Sequence, residues 1–117
     1  RLREMIKIRA SELNGCAYCL NMHIIDARKL DGDLRFIDLI PVYHETDYFT
    51  EEEKAVLELT DTLTKVSKRR ISPELRLTLA KYFTTKDFSD LVVIISQINT
   101  WNRLNIAAGN DFDPNYK

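Results

Sequence analysis

Three glycines and three prolines are the only strong helix breakers in this chain of 117 residues. A glycine costs a helix interior about 1 kcal/mol and a proline about 3, so these residues punctuate any helical chain. Here they fall at Gly15, Gly32, Pro41, Pro73, Gly109 and Pro114. The intervals between them read as long helices, and an all-α fold is the expectation.

Apolar spacing and start signals divide those intervals. In "LREMIKIRASEL", residues 2–13, Leu2, Met5, Ile6, Arg9 and Leu13 recur at helical spacing and predict a short amphipathic helix. Asn14-Gly15 breaks it. Asn14 then reads as the N-cap of a second helix, with Cys16 and Cys19 in its first turns and Ala17, Leu20, Ile24, Ala27 and Leu30 along it. "DGD" stops that helix, Gly32 suiting a C-terminal cap. A shorter helix at about 34–43 is interrupted by Pro41. Thr50 with Glu53 forms a capping box ahead of Val56, Leu59, Leu63 and Val66. Ser72-Pro73 opens a helix carrying Leu75, Leu79 and Phe83. The last segment, about 86–108, contains "LVVIIS", which alone could be a strand. No breaker occurs between Lys86 and Gly109, so a mostly buried helix is expected. Five or six helices in one domain, residues 1–117, is the resulting architecture.

The charge balance narrows the partners. Seventeen basic and eighteen acidic residues give a net charge of −1, without the basic excess that drives binding to a phosphate backbone. The one basic cluster, "KVSKRR" at 65–70, reads as a solvated helix end. Neither a nucleic acid nor a membrane is an expected partner, since no apolar run approaches the roughly 18 residues of a membrane span. The chain opens at Arg1 without a methionine, which leaves room for residues upstream. A cytoplasmic location is the expectation.

Both cysteines lie in "NGCAYCLNMH", residues 14–23, with a histidine four residues after the second. Three readings compete. Cys16 and Cys19 could be buried structural thiols, since free cysteine packs as a small hydrophobe. They could bind zinc with His23, a fourth ligand coming from Glu4 or His44, although the three lie within little more than two turns of one helix. Third, a C-x-x-C pair at a helix start puts both sulfurs on one face, where dithiol and disulfide exchange. The helix N-terminus and a nearby histidine favour the reactive thiolate. The redox reading explains most of the pattern. Side chains lean toward the helix N-terminus, so His23 reaches Cys19 first. Cys19 is then the nucleophile and Cys16 the resolving thiol. No βαβ context suggests a thioredoxin-like site.

"LREMIKIRASELNGCAYCLNMH" closely resembles the carboxymuconolactone decarboxylase superfamily, in its alkylhydroperoxidase AhpD-like branch. That branch carries a glutamate twelve residues before the first cysteine, then C-x-x-C, then a histidine four residues on; Glu4 holds the glutamate's place. "FTEEEKAVLELTDTLT" from Phe49 and "INTWNRLNIAAG" from Ile98 look like the same group. The resemblance implies an all-helical fold, assembly as homotrimers or homohexamers, and a thiol-dependent peroxidase that needs no cofactor. It also implies that Cys19 attacks the peroxide, Cys16 closes the disulfide, and an external dithiol reduces it. Glu4 and His23 would form the proton relay, with Glu12 the competing carboxylate. The characterised AhpD type has a histidine where this chain has Tyr18, and two copies of the helical unit where this chain has one. The decarboxylase branch lacks the C-x-x-C pair.

His44, in "VYHETDYF", reads as a surface or packing histidine. Trp101 reads most simply as core or subunit contact, and Arg103 as a charge or interface partner. Tyr18 and Tyr43 are candidates for a substrate pocket, with aromatic packing the simpler reading. Two rivals to the peroxidase stand. One is a thiol-disulfide reductase or redox sensor; the other is a non-enzymatic helical module whose Cys-Cys-His cluster packs or binds zinc.

Overall fold

A side-chain oxygen sets the start of each of the last three helices. The computed structural model of the chain describes residues 1–117. In it the hydroxyls of Thr50, Ser72 and Thr84 accept from the backbone N–H three residues on. They open α4 (Glu51–Thr64), α5 (Pro73–Tyr82) and α6 (Thr85–Ala108). Each such cap stabilises its helix by about 1 kcal/mol. Glu53 returns a bond to the Thr50 N–H, completing the capping box. Ahead of these lie α1 (Leu2–Asn14), α2 (Ala17–Ala27) and α3 (Arg35–Leu39), followed by a 3-10 segment at Ile40–Glu45. The fold is all-α with six helices and no strand, and "LVVIIS" is helical.

The expected helix at 34–43 is thus two pieces, divided at the residue before Pro41, whose ring cannot continue the α-helical ladder. The second helix stops at Ala27 rather than Leu30. Its last turn relaxes to i to i+3 bonds, Lys29 N–H to Asp26 O and Leu30 N–H to Ala27 O, before Gly32 turns the chain.

Around α1 the rest of the molecule is assembled. It packs against α2, α4 and α6 and buries Met5, Ile6, Ile8, Ala10 and Ser11. That arc is wider than the single stripe expected from Leu2, Met5, Ile6, Arg9 and Leu13, because α1 is covered on more than one side. Leu2 and Leu13 are only half-buried, and Arg9 enters an ion pair. On one side of α1, Ile6 and Ala10 join Val56, Leu59, Ile95, Ile98 and both cysteines in an apolar cluster. On the other, Met5 and Ile8 meet Phe36, Ile40, Tyr43 and Leu57. Each fully buried aliphatic side chain contributes about 1.5–3 kcal/mol. The helix break between α1 and α2 is therefore held by a packed core.

Residues after α6 turn back along α2. The Tyr116 hydroxyl donates to the Asp26 carboxylate at 2.8 Å, and the Asn21 amide donates to the Asp113 carbonyl at 3.4 Å.

Candidate active site

The α1–α2 junction puts the two cysteines where they stand. Gly15 adopts a left-handed conformation, φ 67°, and closes α1 in a Schellman motif: Gly15 N–H to Glu12 O and Cys16 N–H to Ser11 O. Asn14 is consequently the last residue of α1, not the N-cap of α2. Cys16 is that cap, and its sulfur accepts from the Cys19 N–H at 3.3 Å. A polar network holds Asn14 instead. Its amide donates to the side-chain oxygens of Asn99 and Asn102, at 2.9 and 3.0 Å, while Asn102 donates to Ser11 and Asn99 to Thr64. Asn102 has no exposed surface, so satisfying its amide is a condition of packing α6 against α1.

Cys16 and Cys19 are joined as a disulfide, with Cα atoms 5.4 Å apart, inside the range that a disulfide spans without backbone movement. Both are nearly buried, at 2% and 3% exposure, and they differ in what they face. Cys19 lines a cavity of about 440 Å³, together with Lys7, Tyr18, Met22, His23, Gln97, Ile98, Trp101 and Asn105. Cys16 does not line it. Both sulfurs belong to the N-terminal turn of α2, where the positive end of the helix dipole favours thiolate when the bond is reduced.

Glu4 and His23 come together across α1 and α2. Nδ1 of His23 lies 3.3 Å from Oε2 of Glu4, yet the two are not aligned as a hydrogen bond, and both atoms are buried without another partner. The imidazole lines the cavity one turn along α2 from Cys19. Glu12, the competing carboxylate, stands elsewhere. It does not line the cavity, and burial pushes its carboxyl up to about 7, against the opposing pull of Arg9. No group of three or more His, Cys, Asp or Glu side chains is arranged to hold a metal ion. His44 is exposed, its ring 3.8 Å from that of Tyr43 and its Nε2 3.9 Å from Asp61, and it does not line the cavity that Cys19 and His23 share.

Of the aromatic candidates, Tyr18 lines the cavity while Tyr43 is core and donates to Asp61 at 2.9 Å. Trp101 is not core. It is 57% exposed at the cavity rim, because the buried face of α6 is centred on Leu91, Ile95, Ile98 and Asn102 and Trp101 lies to one side of it. Arg103 bonds the Asn99 carbonyl of its own helix. Asn105 went unrecognised in the sequence: its Nδ2 lies 3.6 Å from the Cys19 sulfur. The available signal was the spacing of asparagines at 99, 102 and 105.

Residues 1–62 match the carboxymuconolactone decarboxylase family. Among related proteins, the uncharacterized protein YdfG of Bacillus subtilis (strain 168) is 44% identical over 108 residues, covering 92% of this chain and 74% of that one. A crystal structure from Agrobacterium tumefaciens, of a protein of unknown function and candidate antioxidant defence protein AhpD, superposes with a TM-score of 0.91. It is 33% identical, over 97% of this chain and 77% of the other. An uncharacterized peroxidase-related protein from Silicibacter sp. TM1040 gives a TM-score of 0.83 at 26% identity; there this chain is 98% covered and spans 60% of the relative.

Proposed function

The chain belongs to the carboxymuconolactone decarboxylase family and has an AhpD-like fold, and from that premise we propose that it is a thiol-dependent peroxidase. The observation that carries the reading is the asymmetry of the disulfide: Cys19 lines the cavity and Cys16 does not. A peroxide entering the cavity meets Cys19 first.

In the reduced protein the Cys19 thiolate attacks the terminal peroxide oxygen. The S–O bond forms as the O–O bond breaks, leaving Cys19 as a sulfenic acid and releasing the alcohol, or water from hydrogen peroxide. The leaving oxygen takes its proton from His23, which Glu4 orients from the neighbouring helix. The Cys16 thiol then displaces water from the sulfenic acid and closes the disulfide. An external dithiol returns the pair to two thiols and is itself oxidised.

Residues 1–117 act as one domain on this reading. The family resemblance adds assembly as a homotrimer or homohexamer, and the exposed Val93 and Leu104 on α6 supply apolar surface for it.

The test is intact mass after peroxide is added to the reduced chain. Loss of two hydrogens is expected, abolished in Cys19→Ser and replaced by a one-oxygen adduct in Cys16→Ser. A chain that forms its disulfide only with disulfide donors, and not with peroxide, is a thiol-disulfide reductase or redox sensor.

A further inference from the structure

Three asparagines recur every third residue on α6, at 99, 102 and 105, and all three pack at the junction of α1 and α2. Asn99 and Asn102 meet Asn14 at the helix break. Asn105 meets the sulfur of Cys19 itself. Its amide orientation is determined, because the Trp101 carbonyl 2.9 Å away only accepts, which puts nitrogen there. The second proton on that nitrogen serves the sulfur. On the other side, the Asn105 oxygen accepts from the Asn110 amide at 2.9 Å. Both amide protons and the amide oxygen are engaged, so the donor is held in place before any substrate arrives.

We propose that Asn105 is a catalytic residue that stabilises the Cys19 thiolate, with Asn110 as its positioning residue. The assignment rests on the reading above, in which reduced Cys19 is the attacking thiol. A neutral amide contributes little to a disulfide sulfur and much more to a sulfur bearing negative charge, since charge-assisted hydrogen bonds are about twice as strong as neutral ones. The α2 dipole acts on both cysteines, and Cys16 has a donor in the Cys19 N–H that caps the helix. Asn105 differs in coming from another helix and in sharing the cavity with Cys19. It therefore biases ionisation toward the sulfur that substrate meets.

The test uses the reduced Cys16→Ser protein, in which serine keeps the N-cap and Cys19 is the sole thiol. The rate of alkylation by iodoacetamide is followed by mass against pH. Asn105→Ala is expected to raise the apparent thiol pKa by about one unit, a fall of about tenfold in rate at a pH where the thiol is mostly protonated. The limiting rate at high pH is expected not to fall, since a thiolate of higher pKa is the better nucleophile. Asn105→Asp, which sets a carboxylate against the sulfur, is expected to shift it further. A pH profile that superposes on the parent overturns the assignment. Should Asn105→Ala not fold, Asn110→Ala on the exposed turn decides in its place: a smaller shift in the same direction supports the assignment, and an unmoved profile overturns it. Alkylation needs no peroxide. A chain inert to peroxide whose alkylation profile moves as stated loses the peroxidase reading and keeps this one.

Discussion

Glu4 on α1 and His23 on α2 face each other with Oε2 and Nδ1 3.3 Å apart, and neither atom completes a hydrogen bond. A buried polar atom left unpartnered costs about 1–3 kcal/mol, so a pair kept in this state marks a place where stability is not the only demand. On the proposed mechanism the contact tightens when the imidazole carries a proton. His23→Gln is expected to lower peroxide-driven disulfide formation by about a hundredfold, the low end of the range for a general acid–base group, and Glu4→Gln, which acts only through the imidazole, by about tenfold. Stopped-flow rates at matched pH read the effect. Equal rates in all three proteins would remove the relay.

Trp101 stands at the cavity rim with more than half its surface exposed. Truncation there removes apolar contact with a bulky substrate and leaves the sulfur untouched. Trp101→Ala is expected to raise KM for cumene hydroperoxide about tenfold, as loss of roughly 1–2 kcal/mol of apolar contact implies. The rate with hydrogen peroxide should change little. Equal effects on both substrates would show that the indole supports the fold instead.

Asp61 anchors a second buried polar group, remote from the cavity. Arg9 donates to both its oxygens, at 2.7 and 3.2 Å, and Tyr43 donates to one of them. The phenol is held well above its ordinary pKa by burial and by the Asp61 charge. Asp61→Ala strands a partly buried guanidinium and a buried hydroxyl, and is expected to cost about 2–4 kcal/mol in urea unfolding, below the cost for a fully buried pair. Tyr43→Phe loses one hydrogen bond and should cost about 1–2 kcal/mol.

Glu12 is expected to make stability depend on pH. Burial raises its carboxyl from 4.5 to about 7 in the folded chain, with Asp61 acting in the same direction and Arg9 against it. The folded state thus prefers the protonated form. That contribution is fully present below pH 4.5 and is lost as pH rises through about 7. Glu12→Gln cannot ionise. Relative to its standing at pH 4.5, the variant should gain about 1–2 kcal/mol on the parent by pH 8, screening by solvent limiting the size. Thermal melts at the two pH values measure this, and parallel shifts at both would refute it.

The helices and the C-x-x-C motif were legible in the sequence because they are local. A capping box spans four residues, a breaker acts where it stands, and the step from Cys19 to His23 is one helical turn. The pairing of Glu4 with His23 came from resemblance alone, since nothing local says that α1 folds back to bring the carboxylate within 3.3 Å of the imidazole.

What only the tertiary structure decided lies between residues far apart in the chain. Asn14 looked like a cap for the helix after it, because asparagine beside glycine is a good start signal. Asn99 and Asn102, more than eighty residues away, take its side chain instead, and Cys16 becomes the cap. Trp101 reads as core or subunit contact by residue type, and of these the core is excluded, because the face of α6 that packs runs through Leu91, Ile95, Ile98 and Asn102 and leaves the indole outside. Asn105 gave no signal by itself, since an amide becomes a thiolate donor only when another helix brings a sulfur to it. Periodicity and caps determined which segments are helices. How α1, α2 and α6 pack decided which cysteine faces the cavity, because that depends on contacts whose partners no local pattern encodes.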